Sequence, residues 1–306
     1  MTVPASAPAL HPTPAPRAVL RAQLRVVLLA LRWPAAAAAG LLAVTTVMVV
    51  AEWARGRGGI DFNPELSIIP GVVGLLLPIG VWRGEDRFGD GLLWTLPVDR
   101  RAHALARVAA GWAWLLLALA VFQAWLLALV LLTGGNVLGD QVVQVLASGT
   151  TLAPMGAVEP SQLRTVRLPA EPALWLVPFT AATGAYAIGS AYALGVRHPV
   201  RWLVGPLLAL LLVSAVGAAA GSRALALAPS GVLETLMYGT YGFDTLLTAR
   251  SESLHTVARL PSGAVAPVWL ALPDLGHWVA ATLLWTGGGL AALWLAASRH
   301  GERRRA

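Results

Sequence analysis

Six stretches of this chain, at approximately 34–52, 66–82, 108–132, 173–195, 201–220 and 276–298, are long, apolar and almost free of charge. Crossing roughly 30 Å of hydrocarbon takes about 20 mostly apolar residues in a helix, since lipid offers the backbone no hydrogen-bond partners. No charged residue interrupts the core of any stretch, where one arginine would cost about 2.5–3.5 kcal/mol. The chain as a whole is 12% charged, against about 25% for a soluble domain. The expected fold class is an all-α integral membrane protein with six transmembrane helices. The second stretch is short and carries Pro70 and Pro78, which predicts a kink. Only VRHPV separates the fourth from the fifth, which predicts a tight antiparallel pair.

Orientation follows from arginine. With both termini, the 83–107 loop and the 196–201 turn on one side, that side holds 15 arginines and 5 carboxylates, the other 7 and 10. The arginine-rich side is expected to face the cytoplasm, with both termini inside. Residues 1–16 are rich in Pro and Ala and read as a disordered tail, and 301–306 as a basic cytoplasmic tail. Between them, 17–300 reads as a single membrane domain. Ahead of the first span, Leu20, Leu24, Leu28 and Leu31 form one helical stripe, and Arg17, Arg21 and Arg25 another. This predicts either an amino-terminal interfacial helix with its arginines reaching lipid phosphates or an amino-terminal extension of the first span, with Pro34 as the boundary in both cases. The segments 133–172 and 221–275 are mixed in composition and are expected on the outer face.

Within the bundle, Ala181, Ala185, Gly189 and Ala193 recur every four residues, the smooth ridge that close helix packing in lipid favours. Gln123 is a lone polar residue in the third span and is expected to bond a neighbouring helix.

The charge is concentrated in RGEDRFGDGLLWTLPVDRRAHALAR, residues 83–107, which holds five arginines and four carboxylates between two apolar spans. Phe88, Leu92 and Leu96 lie at i, i+4 and i+8, one apolar face of a short amphipathic helix. Pro97 ends that helix, because the residue before a proline disfavours helical geometry. Asp99 then stands where the next helix needs its N-cap.

Glu85, Gly91 and the run LLWTLPVDRR (92–101) resemble the permease subunit of a type-2 ATP-binding-cassette exporter. The resemblance implies that the loop between spans two and three is a coupling helix docking on a separate ATPase. It implies coupling roles for Glu85, Gly91, Leu92, Leu96, Pro97, Val98, Asp99, Arg100 and Arg101. Asp99 departs from the Ser or Thr usual in the family, and Arg107 stands where a Lys is common. ATP and Mg would be bound by the partner ATPase, with no cofactor in this chain. A second permease protomer and membrane lipid are the other implied partners, with no nucleic acid. The location would be the bacterial cytoplasmic membrane, and the substrate amphipathic or lipid-like. Lysine is absent, so the chain cannot carry a GxxxxGK[ST] phosphate loop of its own. The competing expectation is a membrane anchor or sensor that holds a soluble partner at the same loop.

No nucleophile–base constellation or metal motif stands out, and no enzyme activity is expected in this chain. Cysteine is absent. Asp274 and His277, three residues apart at the start of the last span, are expected to form a hydrogen-bonded pair.

Overall fold

A computed structural model describes residues 16–56, 58–60, 68–82, 99–137, 141–147, 157–168, 171–196, 199–249, 255–260, 265–272 and 274–302. Eight α-helices are described: α1 (Pro16–Ala54), α2 (Ile68–Val81), α3 (Arg100–Leu132), α4 (Val177–Gly195), α5 (Pro199–Ala219), α6 (Arg223–Tyr238), α7 (Phe243–Thr248) and α8 (Leu275–Glu302). Each of the six apolar stretches coincides with one of them. Three helical stretches, Arg17–Ala54, Arg100–Leu132 and Leu275–Arg299, are long and apolar enough to cross a membrane, and Ile68–Val81 and Val204–Ala219 are shorter apolar helices.

Four strands correct the all-α expectation. They are β1 (Gln141–Leu146), β2 (Leu163–Leu168), β3 (His255–Arg259) and β4 (Val265–Trp269). They form one sheet in the order β2-β1-β4-β3. Two antiparallel hairpins, with Val143 opposite Val166 and Val257 opposite Pro267, join through a parallel contact of β1 with β4. Leu146, Val158, Ala258 and Val268 make a small core beside the sheet. The sheet is built from both mixed segments and stands at the end of the bundle where α3 finishes and α4 and α8 begin.

Pro34 does not bound the first helix. α1 runs unbroken for 39 residues, about 58 Å at 1.5 Å per residue. Proline removes one backbone donor, and the alanines at 35–39, the strongest helix formers, carry the helix on. The amino-terminal half is not a free interfacial helix: Gln23 and Val27 are buried, and Leu24 and Leu31 pack on the core. Arg17, Arg21 and Arg25 remain exposed on another side.

The centre of the bundle is α4, which packs on α2, α3, α7 and α8. Its composition makes that possible. Ala181, Ala185, Gly189 and Ala193 are all buried. Side chains this small let backbones meet: a Cβ on Gly189 would overlap the Leu75 carbonyl of α2, and one on Gly74 of α2 would overlap the Ala182 carbonyl. The expected tight pairing of α4 with α5 is not what forms. α5 packs chiefly on α6. The turn between these two helices passes through Gly221, whose φ of 67° suits glycine, and folds α6 straight back along α5.

Candidate functional site

The loop of interest opens into α3. Glu85, Gly91, Leu92, Leu96, Pro97 and Val98 lie outside the described residues, so the structure begins at Asp99. Asp99 has extended backbone, and its Oδ1 accepts from Arg101 N at 3.0 Å and Ala102 N at 3.3 Å. It is an N-cap, satisfying two amide groups that the first turn leaves without carbonyl partners.

The first four turns of α3 then reach four different helices. The Arg101 guanidinium sits 3.6 Å over the Trp294 ring of α8, a cation–π contact. His103 Nδ1 lies 3.4 Å from Gln23 Nε2 of α1. Trp114 Nε1 donates to Leu24 O of α1 at 2.9 Å. Arg107 is buried and donates twice to the Val81 carbonyl, from Nε at 2.9 Å and Nη2 at 2.7 Å. Val81 ends α2, where helical carbonyls lack amide partners and the helix dipole is negative, so a guanidinium there is well placed. The same guanidinium lies 5.1 Å from the Trp82 ring centre. One residue further on, the Val108 carbonyl accepts from Tyr186 Oη of α4 at 2.8 Å. Gly111 leaves room for this: a Cβ there would overlap the Tyr186 hydroxyl.

The start of α3 is therefore bound to α1, α2, α4 and α8 by polar or cation–π contacts, over a core containing Val27, Val81, Ala104, Val108 and Leu115. A displacement of Asp99 along the axis of α3 would be felt by all four partners, since hydrogen bonds and close-packed side chains have little compliance. Among the described residues, no group of His, Asp or Glu is placed to hold a metal ion.

Sequence reasoning found Asp99 through its position after Pro97. It did not find the partners Gln23, Trp294 and Tyr186, or the burial of Arg107. Gln23 had a signal, a polar side chain within the turn that also holds Leu20 and Leu24; Trp294 had none.

Two further expectations are corrected. Asp274 does not pair through its side chain with His277; its Oδ1 caps α8 by accepting from Gly276 N at 2.8 Å. His277 instead meets the Tyr241 ring edge-on at 5.5 Å between centres. Gln123 is buried, but neither amide atom finds a partner among the described residues, so it does not tie α3 to a neighbour.

No family model, curated protein or solved structure matches the chain.

Proposed function

We propose that this chain is the membrane-spanning permease subunit of an ATP-driven exporter of the type-2 ATP-binding-cassette kind, with ATP hydrolysed by a separate soluble subunit. The observation that carries the reading is the set of contacts at the start of α3, which joins the segment following the charged loop to α1, α2, α4 and α8. A helix beginning at a capped break, after a loop rich in both signs of charge, is suited to receive force from a docked protein and pass it to the bundle.

On this reading α1, α2, α3, α4, α5 and α8 are the six spans, and the arginine-rich end faces the cytoplasm of a bacterium. The sheet then lies on the outer face, while α6 packs back on α5 and α7 packs on α4 and α8. Residues 83–107 form the coupling element, with Glu85, Leu96, Pro97, Asp99 and Arg100 at its contact with the ATPase. Each transporter holds two permease protomers, identical or related, and two ATPase subunits. ATP closes the ATPase pair, the element moves with it, and the helices shift to open a path for an amphipathic or lipid-like substrate. Mg and ATP belong to the partner.

Purification of the full chain from its native membrane tests the reading. A soluble P-loop ATPase should co-elute, and its ATP turnover should rise when this chain is present. Co-elution of a partner without ATPase activity would favour the membrane-anchor alternative.

A further inference from the structure

The amino-terminal half of α1 has two unlike sides. One carries the buried Gln23 and Val27 and packs on the core. The other carries Arg17, Arg21, Arg25 and Arg32, all exposed. Spacings of four, four and seven keep these arginines on one stripe, about 22 Å long at 1.5 Å per residue. No acidic residue occurs in α1 before Glu52. Among the described residues, none of the four arginines has an ion pair or a side-chain hydrogen bond. Like charges one turn apart on a helix repel, so the stripe is unfavourable unless anions meet it.

Beside the stripe runs an exposed apolar flank. Val26, Leu29 and Trp33, at i, i+3 and i+7, are 43%, 64% and 73% exposed. The Arg32 guanidinium lies 5.6 Å from the Trp33 ring centre, so charge and apolar surface adjoin directly. Contacts on the buried side fix where this surface stands. Gln23 meets His103, and the Leu24 carbonyl accepts from Trp114, both near the start of α3. A Cβ on Gly80, in the last turn of α2, would stand 3.3 Å from Leu31 Cδ2. The stripe and its flank therefore lie at the end of the bundle where α2 finishes and α3 begins. At such an end a helix passes from hydrocarbon to headgroups, and tryptophan and arginine are the side chains suited to that boundary.

We infer that the arginine stripe of α1, with the apolar flank beside it, is a binding surface for anionic phospholipid. Guanidinium forks match phosphate oxygens, and acyl chains cover Val26, Leu29 and Trp33. An acidic soluble protein would satisfy the charge but leave the flank without its apolar cover. A zwitterionic lipid brings its own cation to a stripe that already has four, so the net charge of the head decides the preference. Assigning the lipid to the cytoplasmic leaflet rests on the orientation proposed above; the binding does not. Because this half of α1 is bonded to the start of α3, the lipid holds the helix that braces that end.

The test uses the full chain in a neutral maltoside detergent, titrated with dioleoylphosphatidylglycerol or dioleoylphosphatidylcholine and read by native mass spectrometry. The wild type should retain the phosphatidylglycerol in clear preference. Arg21→Gln/Arg25→Gln should weaken that binding by about 10–30-fold and leave phosphatidylcholine binding unchanged. Arg21→Lys/Arg25→Lys, which keeps the charge, should retain most of the preference. Arg164→Gln/Arg259→Gln, which removes the same charge from two exposed arginines of the sheet, should bind as the wild type does. If the glutamine pair does not fold, Arg21→Gln alone is read in its place and should show a smaller loss of the same kind. No preference in the wild type, unchanged binding in the glutamine variants, or an equal loss in the lysine pair or the sheet pair would overturn the inference. None of these outcomes depends on an ATPase, so their failure leaves the co-purification result standing.

Discussion

Gly74→Leu should remove the folded, monodisperse protein almost entirely from the detergent-solubilised membrane fraction. A Cβ at Gly74 already overlaps the Ala182 carbonyl of α4, and the obstacle is backbone, which cannot rotate away as a side chain could. Forcing extra atoms into a closed contact costs about 1–3 kcal/mol where neighbours can relax, and here α2 and α4 would have to separate along their length. Gly189→Leu should act in the same way, because the Leu75 backbone stands in its path. Gly40→Leu is the matched control. Gly40 lies within α1 with nothing within 4 Å of its Cβ position, so the same added side chain should be tolerated there. Size-exclusion chromatography of the three variants checks the set; equal yields would mean that α2 and α4 do not meet as described.

On the proposed function, the double replacement Glu85→Ala/Arg100→Ala should leave the protein inserted and folded yet sharply reduce stimulation of ATP turnover in the partner. Coupling between distant sites typically amounts to about 1–3 kcal/mol, so the loss should lie at about 5–150-fold. Pro97→Leu should act likewise, because it removes the constraint that proline places on the residue before it. Asp99→Asn should be mild, because an asparagine oxygen still accepts from Arg101 N and Ala102 N. The effect should therefore follow the loop and not the cap. Stimulated turnover in reconstituted vesicles measures all three, and normal stimulation in the double variant would move the coupling site elsewhere.

The helices were legible in sequence because lipid-length apolar runs carry their own signal. Asp99 was legible as a cap for a local reason, its place just after Pro97 at the start of an apolar helix. The sheet was not. β1 and β4 meet with Val145 opposite Trp269, residues separated by most of two helical hairpins, and strands of five or six residues alternate too briefly to stand out among Gly and Pro. The pairing of α5 with α6 was hidden for a similar reason: the short VRHPV link suggested a neighbour, while the actual partner is set by the turn at Gly221. Arg107 shows a different limit. Its charge count pointed to water, but its partner is a helix-end carbonyl, and such ends become visible only when two helices are placed side by side.

The central claim is that mechanical work enters this chain from a separate motor through residues 83–107. The chain has no native cysteine, so a single Asp90→Cys replacement can report on that segment without background. In sealed inside-out vesicles a membrane-impermeant maleimide should label it, and in intact cells it should not. A short bismaleimide should cross-link it to the co-purified ATPase, with a yield that changes when ATP is added. Labelling from the outer side, or a position 90 that no ATPase subunit reaches, would contradict the claim.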